Sequence, residues 1–480
     1  MRNSTRWTLP AALLFLFTGL RGQTPTHQAV VHNLVGMSSS LVNSVTTDAE
    51  GNLIITGWRS DSLDFGGTNY PQGTSGAIFL AKFNPQGNEL WNKVAGSADQ
   101  QGNHKGMSVA ADGSGNIYCA GWLFGVQAAT FDGTTLPQGS FGFVAKYSAS
   151  GTLAWVKDFS GGVNAIAVDG NGTPFINLGD ATIEKLDPAN GTSIASGTGG
   201  GDLQNVGNHN IVVDAGNNVI AQWGNKITKY NNDLVEQWST PLVKPFGSAE
   251  SFRITVDGAG NTWATFYALF GTVTLGGTDY TAFPAGYVYS LSAVDGAVLN
   301  ATPMGAFKIK KVYNTAMNEW LLIGDGAFNT PYVVKYDATV TAIWSVPTFG
   351  VVDMELIGPD CFVLGGGHDG SVTLDGVTYD RPNNSASDNA MASYLCAGAV
   401  GVEERPYAAE FAVYPNPTNG QLAVEGSDRG ILFVYDALGA QVMTIAGSTA
   451  RRTADVSGLE DGMYVVRDAS GRMTRFNVTR

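Results

Sequence analysis

The sequence predicts an all-β chain, a seven-bladed β-propeller followed by a small C-terminal β-sandwich. Three observations carry that prediction. Landmark residues recur along the chain at fixed offsets. Helical periodicity is nearly absent, while 62 glycines and runs of Thr, Asn and Ser mark many tight turns between short strands. The composition also shifts after Val402, where Glu403-Glu404-Arg405-Pro406 interrupts the repeats.

At the N-terminus, Arg2 and Arg6 flank the start of an apolar stretch from Trp7 through Leu20, and Arg21-Gly22 closes it. This charged, greasy, small-residue order predicts a cleavable export signal over residues 1–22. The stretch is short for a bilayer span, and no second long apolar run follows it. The mature chain is therefore expected outside the cytoplasm and not membrane-spanning. A formal charge of −14 and a pI near 4.7 argue against nucleic acid, whose phosphates would be repelled.

Residues 23–400 carry the repeats. Gly51-Asn52, Ala81-Lys82-Phe83 and Trp91 return 64 positions later as Gly115-Asn116, Ala145-Lys146-Tyr147 and Trp155. The same landmarks continue through Asp169 with Lys185, Asp214 with Lys229-Tyr230 and Trp238, Asp257, Trp320 with Lys335-Tyr336 and Trp344, and Tyr394. Each of seven units reads as four antiparallel strands. One blade cannot bury both its faces, so blades must pack around an axis. The seventh unit lacks its last strand, and Ala29 through Gly36 is expected to supply it.

Units 1, 2, 5 and 7 carry an extra hairpin pattern, at Leu63–Tyr70, Thr130–Leu136, Val273–Tyr280 and Val372–Tyr379. These insertions are expected to extend and raise one face over units 7, 1 and 2. With its Gly-Asn-x-Tyr, Phe-Val-Ala-Lys-Tyr and Trp cadence, strongest over residues 111–157, the repeat resembles the bacterial β-propeller repeat family abbreviated SBBP. That resemblance implies a fold and an extracellular setting but no common reaction.

After a linker at 401–411, residues 412–480 alternate short strands with Pro, Asn and Gly turns, which predicts a small β-sandwich. The order Tyr414-Pro415-Asn416-Pro417, then Tyr435-Asp436 with Gly439, then Asp455, Leu459, Gly462 and Tyr464 closely resembles the type A C-terminal sorting domain of the type IX secretion system of Bacteroidetes. The resemblance implies a second export step, with the type IX machinery as partner and the cargo released or fixed to the cell surface.

Catalytic patterns are missing from the sequence. His27, His32, His104, His209 and His368 form no metal spacing, and no nucleophile elbow or phosphate-binding glycine loop is present. Asp112, Asp169, Asp214 and Asp257 could offer Ca2+ oxygen ligands, but they lack the closing Glu of a calcium loop. Their recurrence at the same place in each unit favours turn chemistry, so no cofactor is expected. Cys119 reads as a small buried hydrophobe; Cys361 and Cys396, if joined, would staple the last unit. Trp58 and Trp122 follow equivalent glycines. Together with Tyr70 and Tyr379 they form the candidate ligand-binding set, against the plainer reading of blade-to-blade packing. The function expected is that of an exported binding module for a glycan or a surface protein. The alternatives are a polysaccharide-active hydrolase or lyase with carboxylates in the channel, and a passive adhesive or surface-layer component.

Overall fold

The computed structural model describes residues 24–34, 39–60, 62–69, 76–97, 104–124, 128–199, 211–243, 249–251, 253–269, 271–281, 285–315, 318–325, 330–358, 361–380, 389–396, 412–425, 432–436, 441–446, 451–467 and 473–479. The export stretch 1–22, Gly36, Tyr70, the linker 401–411 and Gly439 lie outside them. The chain forms two compact units, residues 1–398 and 399–480.

The first unit is a closed ring of seven antiparallel blades. From the axis outward, blade 1 is Ser40–Thr47, Leu53–Arg59, Ala77–Phe83 and Glu89–Ser97. Blade 2 runs Lys105–Ala111, Ile117–Trp122, Gly142–Tyr147 and Leu153–Phe159. Blades 3 to 6 repeat this order from innermost strands at Val163–Val168, Ile211–Val213, Thr255–Val256 and Lys308–Asn314. Blade 7 takes Gly350–Gly358, Cys361–His368 and Asn389–Cys396 from the chain's far end and Thr26–His32 from its start. Each innermost strand touches the next, and that of blade 7 touches that of blade 1. The closing strand thus comes from the expected region but begins three residues before Ala29, with Thr26 opposite Cys396 and His32 opposite Met391.

The core is divided among the seven blade-to-blade seams. Along Leu53-Ile54-Ile55, Leu53 and Ile55 face blade 7 among Val363, Ala392 and Tyr394, while Ile54 faces blade 2 beside Ile117 and Phe143. Alternation therefore sends side chains to two neighbours instead of to core and solvent. Ala77–Phe83 is consequently buried along its whole length. Cys361 and Cys396 are directly opposed and joined by a disulfide, and Cys119 is buried and free.

The recurring Lys and Trp landmarks clamp one blade to the next. Lys82 Nζ and Trp91 Nε1 both donate to the Ala149 carbonyl of blade 2, each at 3.1 Å. Lys146 and Trp155 converge on the Pro188 carbonyl of blade 3, and Lys229 and Trp238 on the Ala293 carbonyl of blade 5. Lys82 and Lys229 are held in turn by Asp48 at 2.7 Å and Asp214 at 2.8 Å. The same carboxylates accept backbone N–H groups two and four residues on, from Glu50 and Asn52 and from Gly216 and Asn218. That is the turn chemistry expected of the repeated Asp residues.

The insertions differ from expectation. They fold outward onto the outer strand of the preceding blade. The blade 2 hairpin (Ala129–Phe131, Thr134–Thr135) pairs with Glu89–Ser97 through Gly96–Thr130 and Ser97–Ala129. The blade 5 hairpin (Thr272–Leu275, Thr278–Thr281) pairs with Glu236–Val243. Leu63 and Phe65 lie in the blade 7–blade 1 seam, and Leu374 joins Trp344 and Val346 of blade 6. Apolar side chains on each insertion gain burial there, and exposed ladder edges gain partners or cover.

The second unit holds a three-stranded and a four-stranded antiparallel sheet around Leu422, Val424, Leu432, Val434, Val466 and Phe476.

The clamp makes a discriminating prediction. Gly151 has φ +81°, and a Cβ there would lie 2.8 Å from the Trp91 ring, whereas Gly113 has open space. Gly151→Ala is expected to cost about 2–3 kcal/mol and Gly113→Ala less than about 0.5 kcal/mol. Urea unfolding of the two variants checks this, and equal midpoints would argue against a clamp.

Candidate functional site

The channel wall is shaped by a bulge that sequence periodicity does not show. In five innermost strands the ladder slips by one residue at the same step: between Val42 and Ser44, Gly106 and Ser108, Val163 and Ala165, Ile309 and Lys311, and Val351 and Asp353. The slip re-aims the next side chain toward the neighbouring strand. The Val45 N–H donates to Asp353, that of Val109 to Ser44 Oγ, and that of Ile166 to Ser108 Oγ, at 3.0–3.2 Å. One belt of hydrogen bonds therefore runs from blade 7 through blades 1 and 2 to blade 3.

Arg253 of blade 5 reaches across the ring. Its guanidinium pairs with Asp353 and donates to the Asn43 carbonyl of blade 1 at 3.0 Å. Lys311 of blade 6 approaches the same carboxylate at 3.2 Å and donates to the Met354 carbonyl at 2.6 Å, where the Tyr313 hydroxyl also donates. Arg253 and Asp353 are buried. Two cations from two other blades therefore converge on this one carboxylate. Two residues along, half-buried Glu355 differs. Burial pushes its carboxyl up to about 7, against the opposing pull of Thr46 and Lys311. Among the described residues, no group of three or more His, Cys, Asp or Glu could hold a metal ion.

The candidate aromatics fall in three places. Half-buried Trp58 lies under Lys105 of blade 2, whose Nζ is 5.2 Å from the ring centroid. Trp122 leans onto blade 3, its Nε1 donating to Asn164 Oδ1 at 3.0 Å and its ring lying over Gly162. Both indoles thus make a blade-to-blade contact. Tyr379 sits elsewhere, edge-on to His32 of the closing strand at 5.3 Å. Beside Trp122 opens a hollow of about 190 Å3, lined by Trp122, Phe124, Phe141, Gly162, Asn164 and Gly179. Phe124 and Phe141 are 45% and 58% exposed. Sequence reasoning missed Phe124, Phe141 and Asn164. Phe124, two residues past Trp122, was the available signal, whereas Asn164 enters the hollow only through its bulge.

In the C-terminal unit most motif residues hold the chain together. Tyr414–Pro415 and Asn416–Pro417 are both cis. Asn416 clasps the last strand, accepting from the Asn477 N–H at 2.9 Å and donating to the Arg475 carbonyl at 3.1 Å. The Tyr414 hydroxyl bonds Glu425, and Arg451 lies over its ring. Asp455 accepts from the Ser457 N–H, the Leu459 N–H closes the following turn, Gly462 stands opposite Val478, and Tyr464 stacks on Phe476 while its hydroxyl reaches the Glu460 carbonyl. Tyr435 and Asp436 are half-buried, and Pro415 and Pro417 are exposed.

Residues 412–476 match the family described as Secretion system C-terminal sorting domain. This sorting domain implies secretion or attachment at the cell surface. No curated protein matches the chain. Among solved structures, BamB from Moraxella catarrhalis is similar at 12% identity and TM-score 0.43, covering 84% of this chain and 96% of that one. The WD40 repeats of RRP9 are similar at 11% identity and TM-score 0.49, covering 78% and 100%. The propeller rests on its own strand order and ring contacts, not on these distant likenesses.

The raised Glu355 has a signed consequence. A folded-state value above the ordinary 4.5 means that its proton favours folding at low pH and that this contribution is lost as pH rises through about 7. His27 and His32, lowered from 6.5 by burial, act oppositely, and stability falls as pH drops below 6.5. Glu355→Gln is expected to melt higher than the wild type at about pH 8.5 and to match it at about pH 4, below the ordinary 4.5. Melting curves across that range check this, and a constant offset at every pH would contradict it.

Proposed function

We propose that the chain is an exported binding protein. Residues 1–22 direct it through the inner membrane, and the sorting domain at 412–480, joined by the linker at 401–411, hands it to the type IX machinery. The propeller of residues 23–400 then works at the cell surface or in the medium without turning over its ligand. The observation supporting this most is the axial ion cluster. One buried carboxylate of the innermost strands, Asp353, is taken up by Arg253 and Lys311 from two other blades. An axis tied in this way serves rigidity, and ligand contact is left to surfaces away from this cluster.

A second reading keeps one observation in its favour. Burial pushes the Glu355 carboxyl up to about 7, a value that suits a general acid or base. A polysaccharide hydrolase or lyase would need a second catalytic group beside it.

Two measurements test the proposal. Deleting residues 412–480 is expected to leave the protein inside the outer membrane, whereas the full chain reaches the surface or medium. The full chain, incubated with a panel of polysaccharides, is expected to be retained without releasing reducing ends. Product release abolished by Glu355→Gln would replace the binding reading with the enzymatic one.

A further inference from the structure

The hollow between blades 2 and 3 deepens the binding reading above, and rests on it. It is held by ladder, not by loose loop: the Leu123 N–H donates to the Phe141 carbonyl at 2.9 Å, and the Phe141 N–H to the Phe159 carbonyl at 3.2 Å. Phe124 and Phe141 therefore present exposed rings from fixed backbone, and Trp122 stands edge-on to Phe124 with centroids 5.6 Å apart. Two large exposed phenyl rings beside an indole form an apolar surface patch of the kind that marks a ligand contact.

The lining also limits what could enter. None of its six residues is ionisable, so a phosphate or carboxylate ligand would find no counter-charge. The backbone bonds of Leu123 and Phe141 are already made, which leaves no ladder for an incoming peptide strand. Asn164 supplies the polar element. Its Oδ1 accepts from Trp122 Nε1, so its amide NH2 is the donor available to a ligand. Gly162 and Gly179 keep the floor low. Apolar ring faces, one amide donor, no charge and a volume of about 190 Å3 match a single sugar ring that lays its C–H face on the aromatics and turns a hydroxyl to the amide.

We propose that this hollow binds one residue of a neutral glycan, with Phe124 and Phe141 as the stacking platform and Asn164 as the polar anchor.

The test uses the full chain and oligosaccharides of neutral β-glucan, mannan and xylan, with oligogalacturonate as the acidic comparison, all by titration calorimetry. At least one neutral oligosaccharide is expected to bind. The double variant Phe124→Ala, Phe141→Ala is expected to weaken that binding at least about tenfold with an unchanged melting temperature. Asn164→Asp keeps the acceptor for Trp122 and removes the donor, and it is expected to weaken binding as well. Val294→Ala, on an exposed turn of blade 5, serves as the control. Binding that survives all the hollow variants would overturn the hollow while leaving a binding protein. Binding of the acidic oligosaccharide alone, or of no oligosaccharide, would overturn the ligand class. Release of shortened products would overturn the binding reading itself.

Discussion

Everything in the ring depends on one constraint: each blade has two apolar faces and can bury them only against two neighbours. Packing alone gives adhesion without register, because apolar contact is not directional. Register comes from the clamp, in which a Lys and a Trp of one blade meet a single carbonyl of the next and the Trp lies over a turn glycine. The Asp of the first turn completes the device by holding the Lys, as Asp48 does for Lys82. Loss of one member leaves a buried charge unpartnered, which costs more than the contact gives.

The axis solves a different problem. Innermost strands converge there, and their side chains would either collide or leave a void. Small residues and hydroxyls at Ser44 and Ser108 keep the wall thin, and the bulges let those hydroxyls bridge to the next strand. Where the belt does not continue, between blades 5 and 7, Arg253, Lys311 and Asp353 span the gap. The result joins blades 5, 6, 7 and 1 through a single carboxylate.

The blade pattern was legible in the sequence because each landmark performs the same physical task in successive blades. Gly-Asn turns, Lys-Tyr strand ends and Trp strands repeat because the seams repeat. The closing strand was legible as a missing element, and the sorting domain through a motif whose Asn416 and Tyr464 hold its strands together. The direction taken by the insertions was not, because their alternation shows a hairpin but not the edge it will pair with. Nor was the hollow, since Asn164 faces Trp122 only after a one-residue slip that hydrophobic periodicity cannot register. Arg253 and Asp353 were not singled out either: each is a lone charge in an apolar strand pattern, at Arg253-Ile254 and Val352-Asp353-Met354, and nothing local tells that they meet.

The closing strand also makes blade 7 the one blade whose pairing spans nearly the whole propeller. His27 bonds Ser393 across a separation of 366 residues. Blades 1 to 6 are made from contiguous segments and can form as the chain lengthens, whereas blade 7 must wait for both ends. Such long-range pairing is slow, because the loop-closure entropy is paid before the contacts form. The disulfide lies on the other side of this step. It joins two strands from the same stretch of chain, 35 residues apart, and staples blade 7 without needing the ring. The disulfide thus staples a local pairing, whereas closing the ring joins segments from opposite ends of the propeller.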